Sequence, residues 1–150
     1  MKKKIFLLFT LCLLAQWSVA QAPKWVEKAK RAVFSVVTYG ENDKILNTGN
    51  GFFVTEDGIA LSDYSLFKGA QRAVVVNSAG VQMPVVSILG ANDMYDVIKF
   101  RVDISAKKVP ALNLAAVSPA VGANVYILPY STQKDRSYTC LLYTSPSPRD

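Results

Sequence analysis

Short runs of β-branched and aromatic residues, each closed by a turn signal, recur along residues 33–129, and few folds accommodate that pattern. Val33–Tyr39 is the first run, and Gly40-Glu41-Asn42-Asp43-Lys44 is the turn cluster that ends it. Gly51–Thr55 and Ile59–Ser62 follow, joined at Glu56-Asp57-Gly58. An Asp-Gly pair between apolar runs is a strong hairpin signal. Asp63 then stands as the N-cap of a brief helix that Gly69 ends. Ala73–Asn77 and Val81–Leu89 pair about Ser78-Ala79-Gly80, and Pro84 predicts an edge or a bulge in the second strand. Tyr95–Val102 is the next strand, 103–108 a polar linker, and Val121–Pro129 a last strand after Pro119. Strands spaced about 8–12 residues apart, with few helices, predict an all-β barrel or sandwich.

The segments outside this pattern read differently. Residues 22–32 favour a helix, with Pro23 in its first turn and Trp25, Ala29 and Ala32 as an apolar stripe. Met1-Lys2-Lys3-Lys4 is basic, Ile5–Ala15 is apolar, and Ser18-Val19-Ala20 offers small residues before Gln21. This is the layout of a secretory signal peptide over 1–20, removed on export to a bacterial periplasm or cell surface. The mature chain then keeps no membrane segment, and 21–32 is its N-terminal helix. Residues 140–150 can be written codon by codon as a transposon-type sequencing adapter, so they are set aside as a non-native tail.

Composition of the remaining 21–139 excludes several kinds of chemistry. Without Lys2, Lys3, Lys4 and Arg149 the 17 basic residues become 13, and without Asp150 the 11 acidic residues become 10. The net charge is then +3, spread over many loops, which gives no basic stripe for nucleic acid. The segment has no cysteine and the whole chain has no histidine, so neither a disulfide framework nor a thiolate or imidazole metal site is expected. Asp93, Asp96 and Asp103 bracket a strand and do not have the spacing of a calcium loop. No glycine-rich loop follows a strand and opens a helix, so no nucleotide cofactor is expected either.

Residues 48–70 (TGNGFFVTEDGIALSDYSLFKGA) carry a resemblance. They resemble the histidine-bearing segment of trypsin-like serine proteases of the HtrA type. Further stretches match that family in the same order: Val33–Tyr39, Val74–Val85, Leu89–Val102, and Val109–Leu114 with Val121–Tyr130. The resemblance implies a trypsin-like double β-barrel, of which 33–139 would hold the first barrel and the start of the second. The family's catalytic aspartate falls on Asp96, but its histidine falls on Ser65, and its nucleophile loop has no counterpart in the 150 residues. A Ser–His–Asp site needs an imidazole to take a proton from the serine and return it.

The resemblance therefore implies an exported protease-family protein without catalytic competence. Such a protein would bind peptides or unfolded proteins, by adding a strand to a sheet edge or as a scaffold. Two alternatives stand beside it: an active serine endopeptidase with its nucleophile beyond 139, and an unrelated ligand-binding β-barrel. Asp96 has a structural alternative too, as a cap for a turn or as a partner for a lysine. Asp63 would serve Ser65 as a base only if apolar burial raised its pKa, and Tyr64 is a poor base because a phenol titrates near 10. Tyr126, Tyr130 and Tyr138 read as barrel packing.

Overall fold

The computed structural model describes residues 24–128 and the strand 139–142. The expected leader, Tyr130, most of Tyr138's segment and the tail beyond 142 lie outside the described residues. Helix α1 (Lys24–Ala32) leads directly into β1 (Val33–Tyr39). Then come β2 (Ile45–Phe53), β3 (Ile59–Asp63), β4 (Arg72–Val76), β5 (Gln82–Asn92) and β6 (Val97–Val102). These six form one closed antiparallel barrel in the order β1-β2-β3-β6-β5-β4. β7 (Asn124–Ile127) pairs with β8 (Thr139–Leu142) as a separate two-stranded sheet. β8 takes in residues 140–142 of the segment set aside as a tail. No described helix is long and apolar enough to cross a membrane.

Alternation along the strands builds the core. β1 turns Phe34 and Val36 inward, β2 Phe53, β3 Ala60, β4 Val75, β5 Met83, and β6 Ile98, Phe100 and Val102. The rings of Phe34 and Phe53 meet edge to face at 4.7 Å, and Phe100 packs 5.1 Å from Phe67. Burying one such ring contributes about 1.5–3 kcal/mol, so these aromatics dominate the stability of a small barrel. Gly51 makes room for them: a Cβ there would lie 2.8 Å from the Leu61 carbonyl oxygen and closer still to the Phe34 ring.

Several elements depart from the sequence reading for identifiable reasons. β2 begins at Ile45, six residues before the expected strand, because Asn47–Asn50 pair with β1 along its length despite their low β-propensity. β6 begins at Val97, not Tyr95, because Asp96 has left-handed backbone (φ 49°) and closes a turn. β7 is shorter than Val121–Pro129 because Gly122 (φ 86°) forms a turn in which Ala123 N–H donates to the Ala120 carbonyl. Pro84 is the last residue of β5 paired with β4; from Val85 onward β5 pairs with β6, with register shifts at Val85/Ser87 and Ile88/Gly90. The register shifts therefore lie one to six residues beyond Pro84.

Two residues of the expected α1 stripe, Ala29 and Ala32, are buried, and Val26 takes the place expected for Trp25. Val26, Ala29, Lys30 and Ala32 are buried, whereas Trp25 is half exposed. The Trp25 indole has a ring partner outside the barrel, the edge of Tyr126 at 4.9 Å. Lys30 buries its stem and pairs with Glu27 at 3.2 Å.

Candidate functional site

β3 ends at Asp63 and passes straight into a one-turn 3-10 helix, Tyr64–Phe67. The far end of this turn is pinned to the barrel. The Leu66 carbonyl accepts from the Thr38 hydroxyl at 2.9 Å and from Asn47 Nδ2 at 3.2 Å. Thr38 is fully buried on β1, and its hydroxyl also accepts the Asn47 N–H, so its polar atom is satisfied.

The near end of the turn is held by residues distant in sequence. β3 and β6 are neighbours, with Asp63 opposite Val97, so the turn before β6 lies against the start of the 3-10 helix. Asp96 accepts three hydrogen bonds there. Its backbone carbonyl takes the Tyr64 N–H at 3.1 Å. Its Oδ1 takes the Ser65 N–H at 2.6 Å, and its Oδ2 takes the Ser65 hydroxyl at 2.9 Å. The left-handed backbone of Asp96, which aspartate tolerates better than most residues, aims the carboxylate this way. Tyr95 N–H bonded to Asn92 Oδ1 and Asp96 N–H bonded to the Asp93 carbonyl fix that turn.

The structure thus brings together the two residues singled out in the sequence, Ser65 and Asp96. Asp63 plays a different part from the expected one. It occupies the N-cap position, but its side chain makes no capping bond. Asp96 supplies the cap instead, from 31 residues away. Asp63 is exposed, so the apolar burial that would turn it into a base is absent. Asp93 pairs with Lys68, and that hydrogen bond, more than any other cause, raises the Lys68 ammonium above its ordinary 10.5. Asp103 accepts the Ser105 N–H, and among the described residues no three carboxylates converge as a metal ligand set.

A carboxylate holding a hydroxyl has limited chemistry. With no histidine in the chain, no group at this pair takes the serine proton near neutrality and returns it to a leaving group. What the arrangement does is lock the turn in place.

Beside the turn, a groove of about 470 Å³ runs between the outer wall of β2, β3 and β6 and the sheet that contains β7. Its walls include Phe52, Leu61, Val97, Leu112, Tyr126 and Leu128, and its charged lining residue is Asp63. Leu112 is held over the barrel by its N–H, which donates to the Phe53 carbonyl at 2.8 Å. Tyr126 therefore faces the groove and Trp25, not the barrel interior. A second cleft, of about 600 Å³, has mixed charge: Arg101 pairs with Asp57 and Lys108 with Glu56 at its rim. Asp57 is held below its ordinary 3.8, first by the Thr55 side chain and then by Arg101.

The groove and the Thr38–Asn47 clamp were not foreseen from sequence. The run of apolar residues after the 103–108 linker is the signal that could have located the groove wall. Neither a protein-family model nor a curated protein matches this chain.

Proposed function

We propose that this chain carries a trypsin-like barrel of the HtrA type whose catalytic site is degenerate, and that it works outside the cytoplasm as a peptide- or protein-binding module. The observation that carries the reading is the two-point contact of Ser65 with Asp96. The resemblance sets the family's histidine and aspartate on these two positions, and a contact between them is what it requires. A serine in the histidine's place satisfies the carboxylate but shuttles no proton. In this reading β7 opens the second barrel, and the groove beside Asp63 is the cleft between the two. Its apolar walls and few polar groups suit a binding site.

The test is to incubate the full-length protein with unfolded casein and, separately, with a phosphonate probe for active serines. The expected result is binding of casein without cleavage and without labelling. Turnover or labelling would refute the reading.

A further inference from the structure

Most carboxylates among the described residues already have a cation or a donor. Asp96 holds Ser65, Asp93 holds Lys68, Asp57 holds Arg101 and Glu56 holds Lys108. Among the described residues, Asp63 has no side-chain hydrogen bond or ion pair, a property it shares with Glu41 on the exposed β1–β2 turn. Unlike Glu41, Asp63 lines a groove, and it is the charged group among that groove's lining residues. Lys99 projects from the same outer face of β6, but it does not line the groove and forms no ion pair with Asp63.

The geometry points to an extended peptide segment with a lysine or arginine between apolar side chains as the occupant, its cation resting on Asp63 and its neighbours on Leu61, Phe52 and Tyr126. This inference rests on the binding-module reading above and adds a chemical class to it. Charge complementarity is the reason: Asp63 is the single charged group among the groove's lining residues, and it attracts a cation and disfavours an anion, an effect that Lys99, across from Leu61 on β6, lessens. The apolar wall supplies contact area, and the carboxylate supplies preference. Because Asp63 is solvent-exposed, the preference is modest, about three- to fivefold in affinity, and it weakens as salt screens it.

The experiment measures fluorescence anisotropy of the full chain with dye-labelled leucine–valine heptapeptides carrying lysine, norleucine or glutamate at the centre. Affinity should fall in that order. Asp63→Asn should remove the advantage of lysine over norleucine, with an unaltered thermal melt. Asp63→Lys should invert the order. Equal affinity for all three peptides, or a lysine preference that survives Asp63→Asn, overturns this inference and leaves the binding-module reading standing. No binding of any peptide overturns both. Self-association that Leu61→Glu abolishes, in a protein that binds no peptide, gives the groove to a second copy and also overturns the inference.

Discussion

Deleting the Asp96 carboxylate should loosen the Ser65 turn while leaving the barrel closed. Asp96→Ala removes two hydrogen bonds, from the Ser65 N–H at 2.6 Å and from the Ser65 hydroxyl at 2.9 Å. The first satisfies an otherwise orphaned N–H at a helix start, a cap typically contributing about 1 kcal/mol. The second is a charge-assisted bond at an exposed serine and contributes about 0.5–1 kcal/mol. Alanine is also less suited than aspartate to a φ of 49°, which adds about 1 kcal/mol. The total is about 2.5–3 kcal/mol, read from urea unfolding followed by tryptophan fluorescence. Asp96→Asn keeps an acceptor for the N–H and tolerates the left-handed backbone, so it should cost under about 1 kcal/mol. Ser65→Ala loses the hydroxyl bond alone, and the Ser65→Ala/Asp96→Ala cycle should return a coupling of about 0.5–1 kcal/mol. A stability for Asp96→Ala indistinguishable from wild type, or an Asp96→Asn cost equal to that of Asp96→Ala, would refute the capping argument.

Three further outcomes follow from the same geometry. A histidine placed by Ser65→His has the Asp96 carboxylate within reach, so its imidazole should titrate above about 6.5 in an NMR titration; its stabilising contribution is full below the unfolded value and is lost as pH rises through the folded one, and an ordinary midpoint would contradict this. Gly58→Ala should cost about 1–3 kcal/mol in a thermal melt, because Gly58 has φ 92° and a Cβ there would sit 2.7 Å from the Val102 carbonyl oxygen; an unchanged melt would show that the β2–β3 turn rearranges freely. The Asp57 carboxyl is held below 3.8, so its contribution is complete above that value and disappears as pH falls through the lower folded midpoint; Thr55→Val should move the midpoint up more than Arg101→Gln, and the reverse order would assign the effect to the guanidinium.

Strand positions were legible where local pattern and tertiary pairing agree. Val33–Tyr39 is rich in β-branched and aromatic residues, and its bounds are those of β1. Ile59–Asp63 is bounded by the Asp57-Gly58 turn and a 3-10 helix, and it ends one residue from where the pattern stops. Legibility failed where a long-range partner overrides propensity. Asn47-Thr48-Gly49-Asn50 looks like a loop, yet it is strand because β1 lies along its whole length. Trp25 looks like the anchor of its helix, yet it leans on Tyr126, and Val26 is the residue that is fully buried.

The candidate site divides along the same line, and the two aspartates flanking Ser65 in space show why. Asp63 stands immediately before a helical turn, where local rules assign it the cap. A local rule has no means of registering a competing acceptor that arrives on another strand. The β3–β6 register delivers Asp96 to the Ser65 N–H with both oxygens aimed, so Asp63 is left without a bond to make. The meeting of Ser65 and Asp96 is a relation between positions 31 residues apart, which no local pattern carries. Nor could a local pattern anticipate the groove's unpaired carboxylate, because Asp63 became available only when Asp96 took over the cap. The feature that gives this groove its charge is thus a by-product of the contact that holds the turn: the carboxylate that a local rule assigns to the cap is the one left among the groove's lining residues.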